Sequence, residues 1–213
     1  MKALIAIPFV FVSFACGAVT SETVPSRIQP VRSLLEIRRE NVIVQQWDIS
    51  CGAAALATIL TYQYGDQVSE KRIAEAMLRR TDPLRVKYRG GFSLLDLKRF
   101  AESRGYIADG YLKVTLENLL EFGPSIVPVS ISGYNHFVVF RGVLEDQVLL
   151  ADPGFGNRTL TIEQFENVWV KNMAFVVRTD RTSAANQLAP KRDGLVGPLP
   201  GAIRVAITNG GAP

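Results

Sequence analysis

"QQWDISCGAAALATIL", residues 45–60, changes character at its seventh residue. Up to Ser50 it is polar and aromatic. From Cys51 onward it is small and apolar almost without interruption. A helix built from such a run is apolar all round, so it belongs inside a protein rather than on its surface. The run extends to Tyr64 and stops at Gly65, a residue suited to the left-handed conformation that ends helices. The stretch therefore predicts a buried helix over 51–64 with a thiol in its first turn.

The chain on either side divides into two halves. Downstream, "SEKRIAEAMLRR" (69–80) and "SLLDLKRFAESRG" (93–105) each open on a serine and repeat apolar residues at helical spacing. They predict two further helices capped by Ser69 and Ser93. "YIADGYLKV" (106–114) reads as a strand or hairpin, and "TLENLLEFG" (115–123) as a short capped helix. "SIVPVSIS" (125–132), "HFVVFRGVL" (136–144) and "QVLLAD" (147–152) are β-rich, with a hairpin turn at 145–147. "DPGFGN" (152–157) reads as a loop, "TIEQFENV" (161–168) as a helix and "MAFVVR" (173–178) as a closing strand. Helices first and an antiparallel sheet second is an α+β order. Upstream, "SLLEIRRE" (33–40) suggests a short helix and "NVIVQQ" (41–46) a strand or extended piece.

The ends have other characters. "MKALIAIPFVFVSFACGAV" carries Lys2, an apolar run over 3–15 and then small residues. This is the layout of a secretory signal cleaved after Ala18, and the run is too short to span a bilayer. The expected organisation is a signal at 1–18, an arm at 19–40, a domain at 41–178 and a flexible Gly/Pro/Ala-rich tail at 179–213. After signal removal no integral membrane segment is expected. A hydrophobic content of 47% with 21% charged residues is globular composition. The net charge of +4 is spread over scattered arginines with no aromatic interleaving, so no nucleic-acid partner is expected.

Cys16 leaves with the signal, so Cys51 remains as a lone thiol in an exported chain. The chain has one histidine, His136. One cysteine and one histidine do not by themselves make a zinc site, and neither a metal nor another cofactor is expected. A thiol–imidazole pair is the alternative. A helix N-terminus favours the thiolate, and an imidazole can take the thiol proton and return it to a leaving amine. Pairing through a turn near residue 146 brings together positions summing to about 290. That places Asp152 beside His136 as the group to orient the ring. The N–H of Cys51 and an upstream amide, Gln45 or Gln46, could stabilise an oxyanion. Each residue also has a plain reading. Cys51 could be a small buried hydrophobe, His136 a structural strand-edge residue and Asp152 a turn residue before Pro153. Asp48 is read as a helix cap and Trp47 as a packing residue.

Taken together, Gln45, "CGAAAL" from Cys51, "HFVVFRGV" and "ADPGFG" resemble the double-glycine leader peptidases that process bacteriocins, which are papain-like cysteine proteases. The resemblance covers roughly 41–178. It implies Cys51 as nucleophile, His136 as base, Asp152 as orienting acid and Gln45, six residues before the cysteine, as oxyanion donor. The family usually carries an acid directly before its cysteine, where this chain has Ser50. An export signal and no transporter motif resemble the standalone exported branch, one member of which serves the secretion of functional amyloid fibres. The resemblance thus implies a periplasmic cysteine endopeptidase acting on a peptide or leader at a Gly-Gly-like site. Its partners would be secreted amyloid subunits and an outer-membrane secretion pore. The alternative is a catalytically silent papain-like module that binds and chaperones such subunits.

Overall fold

The computed structural model describes residues 32–131, 133–181 and 186–191. The predicted signal, the "AIRVAI" segment at 202–207 and most of the tail lie outside them. Helix α1 (Leu34–Arg39) is followed by an extended segment and then by α2 (Cys51–Thr58), which widens into a π turn over Ile59–Gln63. Helices α3 (Glu70–Leu78), α4 (Pro83–Arg89) and α5 (Leu94–Ser103) complete the first half. The second half runs β1 (Ile107–Tyr111), α6 (Leu116–Phe122), β2 (Ser125–Ile131), β3 (Tyr134–Leu144), β4 (Gln147–Asp152), β5 (Gly156–Thr161), α7 (Ile162–Val168) and β6 (Ala174–Arg178). The six strands form one antiparallel sheet in the order β1-β6-β2-β3-β4-β5.

Local chemistry sets the boundaries. Ser69 accepts the Arg72 N–H at the start of α3. Ser93 and Asp96 form a reciprocal capping box on α5. Glu145 and Asp146 both take positive φ (51° and 62°), giving the two-residue turn whose twist suits a hairpin. Strand residues alternate between two cores. Ile126, Val139, Ala151, Phe175 and Val177 face α2, α3 and α5. Val127, Val138, Phe140, Leu150 and Val176 face the other way, against Leu119, Phe165 and Trp169. The sheet is therefore covered on both sides, and α2 is buried at all eight of its positions.

The structure departs from the sequence reading at the 51–64 helix, at α4 and at β5, and residues 41–46 take the extended one of the two readings offered for them. The 51–64 helix is α-helical only to Thr58. There the Thr58 hydroxyl donates to the Ala54 carbonyl (2.8 Å) and accepts the Ile43 N–H (3.0 Å), which helps divert the ladder into the π turn. Residues 41–46 are extended but join no sheet. Helix α4 was not anticipated, although Asp82 caps it, Pro83 opens it and Gly90 closes it at φ 79°. Strand β5 begins at Gly156, inside the stretch read as a loop.

The tail expected to be free is seated where described. Leu188 is fully buried, and its carbonyl accepts from the Arg141 Nε at 3.0 Å. The Gln187 N–H donates to the Tyr62 carbonyl (2.8 Å), and the Asn41 side chain donates to the Gln187 carbonyl (3.1 Å). Gly142 (φ 141°) has no room for a side chain, since a Cβ there would lie 2.6 Å from Pro190.

Candidate active site

Cys51 is the first residue of α2 and is only 6% exposed. Its neighbour Gly52 lets the helix approach β3 closely, because a Cβ there would meet the Phe137 ring at 3.3 Å. The close approach carries the sulfur to the backbone N–H of Phe137, one residue from His136. Burial pushes the thiol above its ordinary pKa. The N–H groups of Phe137, Gly52 and Cys51 itself pull it back, and the Asp152 charge adds to the rise. The helix start thus acts against a larger desolvation effect, which the sequence reading did not include.

His136 and Asp152 meet as the hairpin register required. Val139 pairs with Ala151 and Phe140 with Leu150, both summing to 290, before a bulge at Arg141 shifts the ladder by one. His136 Nε2 lies 3.2 Å from Asp152 Oδ2. The other ring nitrogen, Nδ1, is buried without a hydrogen-bond partner. It is therefore the nitrogen free to exchange a proton with a thiol or an amine. Tyr134 stacks on the imidazole with centroids 5.6 Å apart, and its hydroxyl donates to the Asp48 carbonyl (3.1 Å).

Asp152 is 1% exposed. Burial raises its carboxyl, but the His136 hydrogen bond, the charges of His136 and Arg158 and the Gly154 N–H (2.8 Å) outweigh that and hold it below the usual carboxylate range. Arg158 Nε is 3.2 Å from Oδ2, a charge contact without hydrogen-bond alignment. The Arg158 guanidinium also lies over the Phe155 ring at 4.5 Å. Sequence reasoning missed Arg158, which sits in β5 just past the stretch read as a loop.

Gln45 reaches the site from the extended segment. Its backbone N–H donates to the Pro153 carbonyl (2.8 Å), which ties the segment to the loop after β4. Its side-chain amide donates to the Trp47 carbonyl at 3.0 Å. An amide carries two N–H bonds, so a second donor remains. Gln46 is exposed, and the Trp47 ring is 43% exposed rather than packed. Asp48 does not cap α2: Ser50 holds the cap position, and its hydroxyl is used elsewhere. A cleft of about 360 Å³ opens along His136, lined by Gly90, Gly91, Phe92, Pro128, Asn135 and Met173, among others. Among the described residues no group of three or more His, Cys, Asp or Glu could hold a metal.

A buried thiol at a helix start, packed against the strand whose histidine is held by a carboxylate on the next strand of an antiparallel sheet, is the arrangement of a papain-like cysteine peptidase. Comparison with known proteins gives the family. The chain matches the Peptidase C39 family over residues 39–181 and belongs to it. It is 41% identical over 159 residues to the probable functional amyloid protease FapD of Pseudomonas fluorescens, covering 74% of this chain and 69% of that one. Against the FapD of Pseudomonas aeruginosa it is 39% identical over 140 residues, covering 65% and 61%. The peptidase domain of Streptococcus ComA, a bi-functional ABC transporter, superposes with a TM-score of 0.54 at 22% identity, over 65% of this chain and 98% of that one. A putative C39-like peptidase from Bacillus anthracis gives 0.52 at 16%, over 68% and 96%. These two likenesses establish the fold.

Proposed function

We propose that the protein is an exported cysteine endopeptidase that cuts a leader or secreted subunit at a Gly-Gly-like site. Cys51 attacks the scissile carbonyl and forms a thioester. His136 Nδ1 takes the thiol proton and returns it to the leaving amine, and water then releases the acyl group. Asp152 holds the ring by Nε2 and stabilises the imidazolium. The Cys51 N–H, which has no acceptor within the helix, and the free Gln45 N–H receive the oxyanion. The observation that carries this reading is His136 held by Asp152 through Nε2 at 3.2 Å, with its buried Nδ1 left without a partner.

Likeness to the two Pseudomonas proteases supports a substrate drawn from a functional-amyloid secretion system, with amyloid subunits and an outer-membrane pore as partners. The composition of residues 1–18 supports export to the periplasm. Incubation of the purified protein with peptides spanning Gly-Gly or Gly-Ala, read by mass spectrometry, is the test. Cys51→Ala abolishes cleavage on this reading, and retained cleavage would sink it. The low exposure of Cys51 and its burial-raised pKa favour a second reading, a silent module that binds such subunits. Alkylation separates the two: an active thiol reacts with iodoacetamide near pH 7 much faster than a free cysteine, and a silent one does not.

A further inference from the structure

Ser50 stands where the family's usual acid precedes the cysteine, yet its hydroxyl reaches a carboxylate on another helix. Glu70, the first residue of α3, is 3% exposed. Its position at a helix N-terminus would suit an ordinary first-turn acid, but such an acid is normally solvated. Here both oxygens are committed to the loop before the nucleophile. The Gln46 N–H donates to Oε1 at 3.0 Å and to Oε2 at 3.1 Å. The Ser50 hydroxyl also donates to Oε1. Ser50 further sits 2.7 Å from the Trp47 carbonyl, the same carbonyl that holds the Gln45 amide.

We infer that Glu70 is a positioning residue for the reaction: it grips the 45–51 loop at both ends and sets Gln45 against Cys51. Gln46 is bonded to the proposed oxyanion donor and Ser50 to the nucleophile. One buried carboxylate therefore fixes the spacing between the two groups that must converge on a single carbonyl. The acid has moved from the residue before the cysteine to a neighbouring helix, and a serine hydroxyl connects the two. Displacement of such groups by about 1 Å costs on the order of 10²-fold in rate while leaving substrate binding largely intact. This inference rests on the cysteine-peptidase reading of Cys51.

Glu70→Gln, Glu70→Ala and Ser50→Ala in the full chain test it, with kcat expressed per folded protein, the folded fraction being read from the unfolding curve of each variant, so that unfolded protein is not counted. Glutamine keeps one acceptor for the Gln46 N–H and loses the charge, whereas alanine loses both. The expected order of kcat is Glu, then Gln, then Ala, with Glu70→Gln about tenfold and Glu70→Ala about a hundredfold below the parent and KM within threefold. Ser50→Ala lowers kcat several-fold, and it carries the test with Glu70→Gln should Glu70→Ala not fold. Parent-like kcat per folded protein in the glutamine and serine variants overturns the inference, even if their Tm falls. A loss confined to KM overturns it too. Failure of the parent protein to cleave any peptide would instead count against the peptidase reading itself.

Discussion

Asp152→Asn removes one charge and keeps the shape of the side chain. Asp152 accepts two hydrogen bonds, from His136 Nε2 on Oδ2 and from the Gly154 N–H on Oδ1, and Arg158 Nε adds a charge contact to Oδ2. An asparagine offers one oxygen and one NH2. If the oxygen stays with Gly154, the NH2 faces Nε2 and selects the tautomer protonated on Nδ1, which cannot take the thiol proton. If the oxygen turns to Nε2, the Gly154 N–H loses its acceptor. Either way the imidazolium formed during the reaction loses its counter-charge. With charge spread over ring and carboxylate, a separation of roughly 5 Å at an effective dielectric near 20 gives about 3 kcal/mol. That corresponds to on the order of 10²-fold in kcat, and the wrong tautomer would extend the loss towards ~10⁴-fold. The assay is peptide cleavage with kcat per folded protein, the folded fraction and Tm being read from the same unfolding curve. A Asp152→Asn protein that folds and keeps kcat within threefold of the parent would refute the role given to the carboxylate.

Three more expectations follow from the same geometry. Gln45→Ala should lower kcat about 10²-fold by removing one oxyanion donor, with little change in Tm; steady-state kinetics check it, and a kcat within threefold would exclude the role. Asp66, held low by its Arg104 hydrogen bond, and Asp96 and Asp152, held low by their hydrogen bonds and cationic neighbours despite burial, all have folded pKa values below the unfolded value near 3.9. Their contribution is complete well above pH 4 and fades as pH falls through 4 towards the folded values, so Tm should drop between pH 5 and 3, and a flat Tm there would contradict it. Arg141→Met should cost about 2–4 kcal/mol in urea unfolding, because it strips the Asn157 side chain and the Leu188 carbonyl of a buried cationic donor. It should also make the chain near residue 187 cleavable by added protease.

The site was more legible in sequence than its surroundings. His136 and Asp152 lie on two strands joined by a two-residue turn, and a period-2 register carries that information across sixteen positions. Ser69, Ser93 and Thr115 announced three helices because capping is a local bond. What escaped was held by long-range contacts. Gly156 and Asn157 look like loop residues, yet β5 forms there: Gly156 fits tightly under the Arg38 carbonyl, and Asn157 donates to the Ile37 and Glu40 carbonyls. Glu70 looks like a first-turn charge, and nothing local indicates that it faces Ser50. The missed α4 is a different case, since Asp82, Pro83 and Gly90 spelled out its ends.

The Arg141 cluster has a mechanical consequence. Asn41, just beyond α1, donates directly to Gln187, so the strands of chain that enter and leave the catalytic domain are stitched to each other. Arg141 and Asn157 rivet both to β3 and β5. Tension applied between residues 40 and 190 would load this seam first. Arg141 is the bulge residue itself and Asn157 lies one rung from the pair of Asp152 with Gly156, so the seam braces the strands that carry His136 and Asp152.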